Sequence, residues 1–316
     1  MPISNNTVAI IGAGSVGSAA AYGLVNQGLC DNVYLIDKNY GKAKAEATDL
    51  ENSIEFMGRN MHVKAVDYPE LAGADIIVLT AAAPYIEGQT RLDMLSGSVK
   101  IVDSIIPKIT ASGFKGIYIV ITNPVDIISG YIRKITGLPK NRVIGTGTSL
   151  DSARLKNLLS EIVNVDPRCI HAFSMGEHGD SQMIPWSVVR VGGKRWRDIV
   201  ADNPDKFGSG FPYEKIRKRI VNMGWDIIRD KGSTNYGIAS ATLGIIKAIM
   251  HDENQIIPVS AYLDGEYGQK GIYAGVPAVI NKTGVKEVVE FKMTDDEKRS
   301  FDASADIIRE YTGRII

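Results

Sequence analysis

Four histidines occur in the 316 residues, and one of them, His178, sits within Met175-Gly176-Glu177-His178-Gly179-Asp180-Ser181. Histidine is the side chain that gives or takes a proton near neutral pH. The flanking glycines permit a tight turn and close approach of a ligand. A second group lies upstream, in Thr148-Ser149-Leu150-Asp151-Ser152-Ala153-Arg154. Asp151 and Arg154 are three apart, so on a helix they share one face. There Asp151 can hold a histidine ring and steady its protonated form, while Arg154 can grip a carboxylate through its two-pronged donors. A plain intrahelical ion pair, worth ~0.2–0.5 kcal/mol, is the alternative. Earlier still, Pro84-Tyr85-Ile86-Glu87-Gly88-Gln89-Thr90-Arg91 mixes proline, glycine and polar residues after an apolar run. Such a segment can fold down as a lid that excludes water, and Arg91 can polarise a carbonyl as charge grows on its oxygen.

The elements that must position these groups are legible from the start of the chain. Residues 8–11 form a short apolar run suited to a buried parallel strand. Gly12-Ala13-Gly14-Ser15-Val16-Gly17 follows, then residues 18–27, rich in good helix formers. Strand, glycine turn and helix together are the context a G-x-G-x-x-G match needs, because Gly12, Gly14 and Gly17 allow the sharp turn and the close approach of a pyrophosphate. The helix N-terminus behind Ser15 and Val16 offers free N–H groups to phosphates. A second strand over 33–36 ends at Asp37, whose carboxylate can accept from both ribose hydroxyls of NAD and would repel a 2′-phosphate. NAD is therefore the expected cofactor.

Alternation continues with helix over 41–55, strands over 63–65 and 75–80, helix over 99–111, strand over 116–122, helix over 125–136 and strand over 142–145. Strands separated by helices imply right-handed crossovers and an α/β fold, a Rossmann-type doubly wound parallel sheet. Ligands bind beyond the carboxyl ends of such strands, where Thr80, Ala81, Ala82 and Asn123 fall. Residues 1–146 thus read as a NAD-binding domain. Residues 147–316 read as a mixed α+β substrate domain: helix over 148–162, strands over 170–174 and 186–191 with a Gly192-Gly193 hairpin turn, helices over 213–229 and 236–250, strand over 256–263 and a closing amphipathic helix over 295–311.

Composition sets the outer bounds. Hydrophobic residues make up 44% and charged residues 23%, and 36 Lys+Arg balance 36 Asp+Glu. That balance argues against nucleic acid or an acidic membrane surface as partner. The two cysteines, Cys30 and Cys169, fit neither a metal site nor a disulfide framework, so no metal and a reducing, cytoplasmic setting are expected. There is no signal-peptide pattern and no apolar run of membrane-spanning length.

Taken in order, the glycine turn, Asp37, Arg91, Ile121-Thr122-Asn123-Pro124-Val125-Asp126, Leu150-Asp151-Ser152-Ala153-Arg154 and Gly176-Glu177-His178-Gly179-Asp180-Ser181 resemble the L-lactate/malate dehydrogenase family over nearly the whole chain. The resemblance implies that His178 is proton donor and acceptor, Asp151 its partner and Arg154 the carboxylate anchor. It implies that Arg91 polarises the reacting carbonyl and that Asn123 contacts substrate or nicotinamide. Thr234 and Ile238 fall at family positions near substrate and nicotinamide. Substrate choice in the family is tuned largely at the position of Tyr85, typically arginine in malate and glutamine in lactate dehydrogenases. Tyr85 is neither, and a second carboxylate buried without a cation would be costly, which argues against oxaloacetate. Gly224 stands where lactate dehydrogenases usually carry alanine, and with residues 231–238 it is similar to the L-2-hydroxyisocaproate dehydrogenases. Substrates with neutral or apolar side chains are expected, with pyruvate, oxaloacetate and a non-catalytic NAD-sensing role as successively weaker alternatives. Family members are dimers or tetramers, so a homo-oligomer is expected. His171 stands where a histidine helps bind an activating sugar bisphosphate in some bacterial members, but the partnering arginine position holds Lys156, which argues against activation.

Overall fold

The computed structural model describes residues 6–82, 94–208 and 210–315. Six parallel strands form its first half: β1 (Thr7–Ile11), β2 (Asn32–Ile36), β3 (His62–Ala65), β4 (Ile76–Leu79), β5 (Ile117–Val120) and β6 (Val143–Gly145). They run in the order β3-β2-β1-β4-β5-β6. β1, β4 and β5 are buried along their whole length, which is why they read as unbroken apolar runs rather than as alternating ones. The crossovers carry α1 (Ser15–Gln27), α2 (Tyr40–Ser53), α3 (Leu95–Ser112) and α4 (Val125–Thr136). Strand order reverses between β1 and β4, so their carboxyl ends diverge and open a crevice there.

α5 (Ser149–Val163) leads into the second half. β7 (Ile170–His171), β8 (Arg190–Val191) and β9 (Lys194–Arg195) form a small antiparallel sheet, with α6 (Trp196–Ala201) and α7 (Pro204–Phe207) after it. Gly192 and Gly193, both at positive φ, make the β8–β9 turn as their sequence suggests. α8 (Tyr213–Lys231) and α9 (Tyr236–Met250) precede β10 (Gln255–Asp264), β11 (Lys270–Asn281), β12 (Gly284–Val288) and α10 (Asp295–Thr312).

The strand expected over 170–174 is only the two residues of β7, β11 and β12 were not expected at all, and two further features depart from the sequence expectation. The strand expected over 186–191 is a 3-10 turn at Trp186–Val188 followed by the two residues of β8. Pro185 lacks an N–H and its carbonyl instead accepts from Val188 at 3.1 Å, while the Trp186 ring packs edge-on against Phe211 and Tyr213. The second departure is larger. β10 pairs antiparallel with β6 through Ser260 and Gly145, so β10, β11 and β12 extend the parallel sheet to nine strands. The largest apolar core accordingly runs through both halves, while a smaller cluster around Leu155, Trp196 and Phe211 supports α5 and α8. α9 lies directly on α1, where Leu243 occupies the space that a side chain at Gly23 would need.

Candidate active site

The crevice is built from backbone upward. Gly12 has φ +111, a region L side chains avoid, and a Cβ there would lie 2.6 Å from Thr80 Oγ1. Thr80 Oγ1 instead donates to the Gly12 carbonyl at 2.8 Å and ties the end of β4 to the turn after β1. A Cβ on Gly17 would overlap the Gly12 carbonyl oxygen, so this glycine lets α1 start tight under the turn and does not line the crevice. Gly14 is different: among the described residues nothing beyond its chain neighbours lies within 4 Å of where its Cβ would be, and it lines the open cleft. The glycines therefore do two jobs, internal closure at 12 and 17 and open approach at 14.

Gly12, Gly14, Ser15, Val16, Asp37, Thr80, Ala81 and Ala82 line this cleft of about 1130 Å3. Asp37 Oδ2 accepts the Ala13 N–H and Oδ1 the Asn39 N–H, each at 2.9 Å. Each oxygen keeps a further lone pair for a ribose hydroxyl. A free N–H cradle, an unfilled space at Gly14 and a fixed carboxylate fit a dinucleotide.

A smaller cavity of about 190 Å3 opens from the inner end and shares Val16, Thr80 and Ala82 with the cleft. Asn123, Arg154, His178, Gly224, Thr234 and Ile238 all line it, although the chain scatters them over more than a hundred residues. The buried Oδ1 of Asn123 accepts no hydrogen bond from the described residues, which leaves this cavity-lining side chain with an unused acceptor. Asp151, 1% exposed, stands behind the wall with one oxygen 2.6 Å from His178 Nδ1 and the other accepting from Arg154 at 3.2 Å. The Asp151–Arg154 pair is therefore more than a surface helix pair, since the same carboxylate also orients the imidazole. Tyr85 and Arg91 lie outside the described residues.

His178 sits on a loop held at several points. Met175 and Met183 exchange backbone hydrogen bonds of 2.8 and 2.9 Å at its base, and Gly176 does the same with Gly275 of β11. A buried hydroxyl on α10, Ser304 Oγ, accepts the Glu177 N–H at 2.8 Å. Asp126, in the first turn of α4, accepts the His178 backbone N–H at 2.8 Å and also the Ser260 hydroxyl. Burial pushes the Asp126 carboxyl up to about 6, against the pull of its hydrogen bonds to Ser260 and His178.

Sequence reasoning passed over Asp126 except as part of a motif, and it passed over Ser304 entirely. It also missed Met94, Leu150, Trp225 and Ile228, which supply half of the apolar side chains lining the inner cavity. For Trp225 and Ile228 a signal existed: they stand one and four residues beyond Gly224 on α8, hence on one helix face.

Residues 6–145 match the family described as lactate/malate dehydrogenase, NAD binding domain, and residues 148–313 match lactate/malate dehydrogenase, alpha/beta C-terminal domain. L-lactate dehydrogenase 3 of Bacillus cereus is 47% identical over 304 residues, 96% of each chain. A crystal structure of a minor L-lactate dehydrogenase from Enterococcus mundtii, in its ligands-bound form, superposes with a TM-score of 0.94 at 36% identity, covering 99% of both chains. The malate dehydrogenase of Cryptosporidium parvum gives a TM-score of 0.92 at 30% identity over 98% of this chain and 99% of that one. The chain belongs to the lactate/malate dehydrogenase family, NAD-dependent oxidoreductases that act on 2-hydroxy acids. Its Rossmann-type parallel sheet and mixed α/β second half are the family's fold.

Proposed function

We propose that this chain is an L-2-hydroxy acid dehydrogenase of the L-2-hydroxyisocaproate type, reversibly reducing 2-oxo acids with neutral or apolar side chains. The observation that carries this reading is the lining of the inner cavity. Arg154 is the one Lys or Arg side chain among its described residues, and Met94, Leu150, Trp225, Ile228 and Ile238 make the rest largely apolar. One cation suits one carboxylate, and an apolar wall suits the side chain beyond it. Residues 1–146 serve as the cofactor half and 147–316 as the substrate half of the reading.

Gly12, Gly14, Ser15, Val16, Asp37 and the strand end at Thr80, Ala81 and Ala82 would hold the dinucleotide, Gly17 acting by letting the turn close beneath it, and Asn123 and Ile238 would serve the nicotinamide. NADH bound there supplies the hydride. Arg154 fixes the substrate carboxylate through its planar fork, which sets the orientation of the 2-oxo group. His178 gives its proton to the carbonyl oxygen, and Asp151 steadies the charged ring before transfer and keeps its orientation after it. In the reverse direction His178 takes the hydroxyl proton. In this reading Arg91 would balance the charge that grows on oxygen, Tyr85 would tune substrate choice, and Gly224 leaves room in the cavity for the side chain.

Pyruvate is the second reading, favoured by the L-lactate dehydrogenase names of the relatives. Steady-state NADH oxidation with 4-methyl-2-oxopentanoate, phenylpyruvate, pyruvate and oxaloacetate separates the cases. We expect the highest kcat/KM with a branched or aromatic 2-oxo acid and the lowest with oxaloacetate; preference for oxaloacetate would end the reading. A homodimer or homotetramer in the cytoplasm is part of the same proposal. The setting is consistent with Cys30 and Cys169 both being free and with the absence, among the described residues, of any helix long and apolar enough to cross a membrane; the homo-oligomer rests on the family resemblance.

A further inference from the structure

We infer that Asp126 is the positioning residue that fixes the main chain of the catalytic turn, acting through His178, and so the inference rests on the acid/base reading of that histidine. His178 is held from two helices, at its ring by one and at its main chain by the other. Asp151 on α5 holds the ring at Nδ1, 2.6 Å away, and fixes its rotation. The backbone before His178 is tied at Met175, Gly176 and Glu177, which leaves the amide of residue 178 itself to be fixed. Asp126 on α4 does this by accepting the His178 N–H at 2.8 Å, across 52 residues of sequence.

The second carboxylate oxygen accepts from Ser260 on β10, the strand that pairs with β6. One side chain thus ties together α4, the sheet extension and the His178 loop. Asp126 is also three residues beyond Asn123, which lines the cavity. The start of α4 thus anchors the His178 main chain three residues from the amide that lines the cavity. Packing alone does not account for a carboxyl group here. Asp126 is 3% exposed, and an apolar side chain of similar volume would avoid the cost of burying it. The position keeps a group with two acceptors, and both reach other elements.

The test is a double-mutant cycle with His178→Asn, followed by NADH oxidation at saturating 2-oxo acid. Asp126→Val removes both hydrogen bonds at nearly constant volume. It is expected to lower kcat by ~10²-fold, the scale of an ångström-sized misplacement of a reacting group. NADH affinity, read by fluorescence, should stay within about twofold. In the His178→Asn background the same substitution should cost less than about threefold, because the residue it acts through is gone. Asp126→Asn should recover at least ~10-fold of the loss, since its amide oxygen still accepts the His178 N–H and its NH2 can donate to Ser260 Oγ. Ser260→Ala keeps the question open to test if the valine variant does not fold: it should lower kcat ~3–10-fold, again only where His178 is present. An equal loss in both backgrounds would overturn the inference and leave Asp126 a merely structural residue. A His178→Asn enzyme with nearly normal turnover would instead sink the acid/base reading, and the two failures are told apart by the single variants.

Discussion

Substituting alanine at Gly14 and at Gly17 should separate cofactor binding from folding within one six-residue turn. Gly14 has φ −84 and ψ −171, extended backbone that alanine adopts freely, and among the described residues no atom beyond its chain neighbours lies within 4 Å of the new Cβ. Gly14→Ala should therefore fold, with stability unchanged or raised by ~0.4–1 kcal/mol through a less free unfolded chain. The methyl group does enter the cleft in which the pyrophosphate must approach the backbone. Loss of one or two charge-assisted N–H contacts, at ~1.5–3 kcal/mol each, weakens NADH by about 10- to 10⁴-fold. Gly17→Ala places its methyl against the Gly12 carbonyl oxygen and near Ile10 Cγ2, inside the protein and not in the cleft. α1 or the turn must shift, costing ~1–3 kcal/mol of stability as well as affinity. Thermal melts and NADH fluorescence titrations on both variants decide. A Gly14→Ala protein that binds NADH normally, or one that melts as low as Gly17→Ala, would refute the reasoning.

Asp151→Asn should lower kcat by ~10²–10³-fold in steady-state assays, because an imidazolium–carboxylate pair at close range is worth ~4 kcal/mol at an effective dielectric of about 20; a loss under about threefold would remove Asp151 from the mechanism. Stability should also depend on pH through Asp126. Its folded carboxyl titrates at about 6, against 3.8 for an unperturbed one, so the folded state binds more protons between those values. The stabilisation is full below about pH 4 and is lost as pH rises through about 6, ~3 kcal/mol in all. Urea unfolding of the wild type and Asp126→Asn should thus diverge between pH 4.5 and 7, and parallel curves would contradict the shift.

The parallel half of the sheet was legible because strands buried on both faces write themselves as unbroken apolar runs, and the glycine turn names the crevice. β11 was not. Gly271, Gly275 and Pro277 punctuate it like a loop, yet Gly275 is there because Thr148 and the Gly176 carbonyl crowd the space its Cβ would take. Pairing of Ser260 with Gly145 is a contact between distant segments with no local pattern to announce it. The same holds within the site. His178, Asp151 and Arg154 carry residue types that suggest chemistry wherever they stand, and the cavity does bring His178 and Arg154 together before Asp151. Asp126 and Ser304 matter only for what they touch, and Trp225 and Ile228 look like any apolar helix face. Those roles exist in three dimensions and not in spacing.

The central claim is that His178 carries the proton for chemistry in the cavity beside the dinucleotide cleft, and one measurement addresses it most directly. Stopped-flow single turnovers of His178→Asn with NADH and 4-methyl-2-oxopentanoate should show NADH bound as in the wild type and its oxidation slowed by ~10²–10⁴-fold. Oxidation at nearly the wild-type rate would mean that the proton comes from another group, and the account would fall with it.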